Sequence, residues 1–189
     1  MLEATDPVET YAKAFFDRSH ATLKTQLNGA YMADTDVSRA LVEAHFAQPG
    51  ADTPVDQALR LDSQVMLVDD PVKRVDNMTM AWGLEARTPF LDYRLVELSA
   101  RIPARFKLPD GGKQVLKQAA RRVIPHEVID RKKGYFPVPA LKYIQGPYLE
   151  MVREALTNQA ARDRGLFDPK YLDTLFANPT EHITPLRGS

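Results

Sequence analysis

The sequence predicts a mainly α-helical fold, and three observations carry that expectation. Apolar residues recur three and four positions apart, as on one face of a helix. Several segments open with a capping residue followed directly by proline, a pairing suited to the first turn of a helix. No stretch alternates apolar and polar residues over the length of a strand.

Taken in order, Asp6-Pro7-Val8-Glu9 offers an acceptor at the cap and a Glu three residues on, ahead of Tyr11, Ala12, Phe15 and Phe16. Val37, Ala40, Leu41 and Ala44 share one stripe. Thr53-Pro54-Val55-Asp56 opens a further helix carrying Val55, Leu59, Val65 and Met66. Asp70-Pro71 and Asp168-Pro169 repeat the pattern, so a helix is expected to start at each. Leu95, Leu98 and Ile102 mark another helix, and Val115, Leu116, Ala119 and Val123 one more. Residues 48–53, 107–112 and 133–139 hold the turn formers and read as short loops.

Composition narrows the function classes. The 189 residues suit one compact unit, with 44% hydrophobic and 26% charged side chains. No apolar run approaches the roughly eighteen residues of a membrane span. Glu3, Asp6 and Glu9 stand where a secretory signal would be basic and then apolar, so a cytoplasmic protein is expected. With no cysteine, a thiolate nucleophile, a disulfide framework and a Cys-based zinc site are excluded. Lys plus Arg equals Asp plus Glu at 25 each, so neither nucleic acid nor a membrane is expected as partner. His20, His45, His126 and His182 have no metal-ligand spacing.

Two stretches carry unusual chemistry. Residues 69–92 read DDPVKRVDNMTMAWGLEARTPFLD. The helix expected from Pro71 would bury Val72, Val75, Thr79 and Trp82, place Arg74 and Asp76 on its flanks, and end near Gly83. The segment after it, from Leu84 to Leu91, is apolar enough to be buried while holding Glu85 and Arg87, and buried charges must be paired. On spacing alone, Glu85 and Arg87 fit an internal pair or a cap as well as a site. The second stretch is basic: Lys113, Lys117, Arg121 and Arg122 along one helix, then Arg131-Lys132-Lys133-Gly134-Tyr135-Phe136-Pro137. The helical cations fit a solvated face. The loop suits a triphosphate or pyrophosphate, since its cations give charge-assisted hydrogen bonds and glycine permits close approach. No Walker loop, Rossmann fingerprint or nucleophile elbow is present, so any ATP site must draw on elements from elsewhere.

Asp70, Arg74 and Asp76, Met78 to Ala81, Gly83 to Arg87, Pro89 to Asp92, and Arg131 with Lys133 occur in that order. In that order they resemble the synthetase region of the glutamine-dependent asparagine synthetase family. The resemblance covers residues 54–139, and the sequence beyond is most similar to the N-acetylglutaminylglutamine amidotransferase branch. It implies the helical later part of an α/β synthetase domain of the PP-loop, adenine nucleotide alpha hydrolase-like type, with the parallel sheet largely outside residues 1–189. In this view those residues are a single fragment, inactive alone, with more chain expected beyond Ser189. The implied chemistry uses ATP and Mg2+ to activate a carboxylate as an acyl-adenylate, which ammonia from a glutaminase domain of the same polypeptide converts to an amide.

By the same resemblance Lys133 is the catalytic cation beside the leaving pyrophosphate. Asp70, Arg74 and Arg131 border the ATP, magnesium or substrate site, and Asp76, Glu85, Arg87 and Asp92 support it. No metal site is expected from these residues alone. The chain lacks the family's N-terminal cysteine nucleophile and its Ser-Gly-Gly-x-Asp-Ser pyrophosphate loop. Two other readings remain open from the residues: a non-catalytic helical module that binds an anionic partner, and a cyclising enzyme of the β-lactam synthetase kind.

Overall fold

The computed structural model describes residues 6–109, 111–132 and 145–182. These divide into two compact units, residues 6–44 with 145–182 and residues 45–109 with 111–132. Regular structure among the described residues is helical, with a lone antiparallel bridge between Leu27 and Phe167.

In the first unit, helix Pro7–Phe15 starts as its sequence predicts. Asp6 Oδ1 accepts the Glu9 N–H at 3.0 Å, and Pro7 occupies a position where no N–H is needed. The Glu9 carboxylate does not turn back onto the cap. It is held instead by Lys13 at 3.2 Å and by Arg39 at 2.7 Å. Arg39, on helix Val37–Phe46, also reaches Asp6 at 2.9 Å and Glu43 at 2.8 Å. One guanidinium thus gathers three carboxylates and ties two helices, using the fork of donors that only arginine has. Its hydrogen bond is the main reason the Asp6 carboxyl sits below the ordinary carboxylate range.

The later chain of this unit forms helices Gly146–Thr157, Gln159–Arg164 and Pro169–Ala177. Asp168 caps the last of these, accepting the N–H groups of Lys170 and Tyr171 at 2.8 and 3.3 Å, as the Asp-Pro pattern predicts. Asn28 donates to the Leu166 carbonyl and Asp168 to the Gln26 carbonyl, each at 2.9 Å, so the bridge joins the early and late segments.

The second unit is built on helical backbone running from Pro54 to Met80. Thr53 caps it, its hydroxyl oxygen accepting the Asp56 N–H at 3.2 Å. The expectation that Asp70-Pro71 begins a new helix is corrected here. Pro71 lies inside the helix, in a widened π-type stretch, Val68–Val72, that follows a similar one at Asp62–Met66. Proline cannot donate to the ladder, and the wider turn redirects its neighbours: the Lys73 N–H reaches back to the carbonyls of Asp70 and Val68. The predicted stop at Gly83 holds. Gly83 has φ +67, its N–H meets the Met80 carbonyl, and the Leu84 N–H meets the Thr79 carbonyl, both at 3.0 Å. That double closure needs a left-handed residue, which glycine supplies without strain.

Helices Tyr93–Arg101, Ala104–Lys107, Gln114–Ala120 and His126–Ile129 complete the unit. Ile102 and Val123, expected within helices, fall just past the ends of theirs. Its buried apolar residues are Phe46, Val55 and Leu61. The expected burial of Val72, Val75, Thr79 and Trp82 is not found: Trp82 is 85% exposed, Val75 is exposed, and Val72 and Thr79 are half-buried. Leu84 and Phe90 are exposed as well, so the segment after Gly83 is not interior. The cause is that the second unit has no further layer over this face among the described residues.

Candidate functional site

The described site candidates all fall in the second unit. Asp70 and Arg74 sit one helical turn apart, and their side chains meet at 2.7 Å with both groups largely solvated. This pair neutralises locally the acid and the base that sequence reasoning assigned to a nucleotide and metal border. Asp76 follows in the first turn of Lys73–Met80 and is exposed.

Glu85 and Arg87 do pair, at 3.3 Å, but on the surface rather than inside. Asp92 caps helix Tyr93–Arg101, taking the Arg94 N–H at 3.0 Å and the Arg94 guanidinium through both oxygens at 2.9 Å. The Arg94 hydrogen bond is the first cause holding the Asp92 carboxyl below its ordinary range. The support network expected from Glu85, Arg87 and Asp92 is therefore two separate local pairs. Arg94, the partner of Asp92, was not singled out from sequence; the Asp-x-Arg spacing at a helix start was the available signal.

Arg131 is exposed at the end of the described basic segment, and Lys133 lies outside the described residues. No hydrogen bond or ion pair joins Arg131 to Asp70 or Arg74 among the described residues. Arg121, read from sequence as part of a solvated face, is in fact paired with Asp130 through two bonds of 2.8 and 2.7 Å. A cleft of about 670 Å³ lies in the first unit, lined by both polar and apolar residues, among them Lys13, Phe16, Arg18, Leu23 and Arg39; none of the sequence-predicted site residues lines it.

Magnesium usually takes one or two protein carboxylates together with substrate phosphates. Among the described residues no three His, Cys, Asp or Glu side chains are placed to hold a metal. Asp70, the acid expected to help, is engaged by Arg74. The described residues do not by themselves fit a magnesium ion. Nor do they enclose a nucleotide, since Asp70, Arg74 and Arg131 stand on open surface.

Comparison with known proteins supplies what the geometry does not. The family model described as asparagine synthase matches residues 4–187. The chain belongs to the asparagine synthase family. Asparagine synthetase [glutamine-hydrolyzing] 3 of Bacillus subtilis is 32% identical over 149 residues, covering 71% of this chain and 24% of that relative. Asparagine synthetase [glutamine-hydrolyzing] 1 of the same organism is 30% identical over 119 residues, covering 62% of this chain and 19% of the relative. The Gallus gallus asparagine synthetase is 34% identical over 105 residues, 53% of this chain and 18% of its own length. The match to these relatives thus spans about a fifth of their length. No solved structure matches the chain. A mainly helical segment of an asparagine synthase domain is what sequence and structure agree on. No helix among the described residues is long and apolar enough to cross a membrane.

Proposed function

We propose that this chain is the helical part of an ATP-dependent synthetase that turns a carboxylate into an amide. The carboxylate is activated as an acyl-adenylate, and ammonia drawn from glutamine by a glutaminase domain of the same polypeptide displaces AMP. The observation that carries the reading is the asparagine synthase match over residues 4–187, inside which the ordered motifs of residues 70–92 and 131–133 fall.

Lys133 is the catalytic cation: a fixed ammonium beside the departing pyrophosphate stabilises charge that grows in the transition state. Arg131, two residues earlier, adds a phosphate contact. Asp70 and Arg74 lie at the border of the site, where a phosphate or metal-bound triphosphate would compete for the Arg74 guanidinium that Asp70 now holds. Asp76, Glu85, Arg87 and Asp92 shape the backbone between. The exposed apolar residues Met78, Trp82, Leu84 and Phe90 support a PP-loop-type α/β domain in which this face packs on a sheet supplied by other parts of the polypeptide. That sheet would also bring the pyrophosphate loop and the magnesium ligands, so residues 1–189 alone are inactive. A cytoplasmic location completes the proposal.

The test is glutamine-dependent amide formation by the full-length protein. Lys133→Ala lowers amide formation by about 10²–10³ while glutamine hydrolysis continues, because the cation acts only in the ATP half-reaction. Synthesis at the wild-type rate would remove Lys133 from the mechanism.

A further inference from the structure

The fork between Arg121 and Asp130 stands at the entrance to the basic segment. Arg121 Nη1 donates to Asp130 Oδ2 at 2.8 Å and Nη2 to Oδ1 at 2.7 Å, so the two planar groups meet side by side. Such a pairing fixes orientation as well as distance. Each partner is also held by its backbone. The Arg121 N–H donates to the Lys117 carbonyl at 3.0 Å, closing helix Gln114–Ala120, and the Asp130 N–H donates to the His126 carbonyl at 2.9 Å, closing helix His126–Ile129. The turn between them is closed as well, with Val123 and Ile124 donating to the Ala120 carbonyl at 2.9 and 2.8 Å. Arg131 follows directly on Asp130. Arg122, adjacent in sequence and equal in charge, is exposed and makes no such fork.

We infer that Arg121 and Asp130 are a positioning pair that sets where Arg131 and Lys132 lie. Arg121 spends its charge on Asp130, so what it gives a phosphate site is geometry rather than attraction. Around the Asp130 carboxyl, Arg121 first, then His126 and Lys117, favour the ionised form, which keeps the fork intact at neutral pH. Solvated ion pairs in general add little to stability, so its loss leaves the helices folded and frees Arg131 and Lys132. The consequence for catalysis rests on the synthetase reading above.

Two measurements on the full-length protein separate the pair from that reading. Trypsin cleavage after Arg131 and Lys132 reports how firmly these two residues are held, with no need for activity. The ATP dependence of labelled-pyrophosphate exchange reports their use. Arg121→Ala and Asp130→Asn each speed cleavage and raise KM for ATP by about tenfold, with kcat changed by less than about threefold, as loss of substrate positioning predicts. The swapped double variant, Arg121→Asp with Asp130→Arg, returns both readings to within about threefold of wild type, because it rebuilds the pair. Arg122→Ala alters neither. Unchanged cleavage or unchanged KM in the single variants, or a double variant no better than either single one, overturns the proposal. A wild-type protein without exchange refutes the synthetase reading, and the cleavage rates then decide the pair alone.

Discussion

Leu61→Ala opens a void at the end of helix Pro54–Leu61, where the leucine is 3% exposed and belongs to a core with few members. The expected cost combines the lost transfer of the side chain, about 2 kcal/mol, with a cavity term that brings such substitutions to about 3 kcal/mol. A small unit has few other buried residues to close around the gap, which argues against the low end of that range. With a urea dependence of about 2 kcal/mol per molar, the midpoint falls by about 1.5 M. The assay is urea unfolding of residues 1–189 followed by circular dichroism, with Leu59→Ala as the comparison. Leu59 lies on the same helix but is 37% exposed, so its midpoint moves by less than about 0.5 M. Equal shifts for the two variants would refute the assignment of Leu61 to the core.

Trp82 is the only tryptophan in the chain and is 85% exposed, so residues 1–189 alone emit as a solvated indole and are quenched freely by acrylamide. In the full-length protein the same residue emits further to the blue with weaker quenching, and blue emission from the isolated chain would contradict the open face. Asp6 gives a pH signature: its folded-state carboxyl lies below the ordinary value of 3.8, so its contribution is present above that value and lost as pH falls through the lower one. Asp6→Asn therefore lowers the urea midpoint at pH 7, the deficit shrinks as pH falls below about 4, and a deficit independent of pH would count against the Arg39 contact.

The helices were legible because their signals are local. Thr53, Asp6 and Asp168 cap the helices they precede, and Gly83 ends one, through contacts spanning a few residues. Pro71 misled for the same reason: Asp-Pro reads as a start, and only the widened turn around it shows that the helix runs through. Periodicity placed Val75 and Trp82 on a buried face, but it could not say whether anything covers them, and both are exposed. The pairings of Arg39 with Asp6 and Glu9 and of Arg121 with Asp130 escaped the sequence reading because these partners lie 33, 30 and 9 residues away, and charge spacing along one helix carries no trace of them. The motif order at residues 70–92 and 131–133 indicated the family that the asparagine synthase match bears out, while the roles of Asp70, Arg74, Arg131 and Lys133 remain part of the proposal.

The claim that this chain serves carboxylate activation is tested most directly by exchange of labelled pyrophosphate into ATP, measured on the full-length protein with aspartate, a glutamine dipeptide and other acids in turn. The account predicts exchange that requires one particular acid, with Lys133→Ala lowering it by about 10²–10³. Exchange that proceeds equally without any acid, or that survives the loss of Lys133 unchanged, would contradict it.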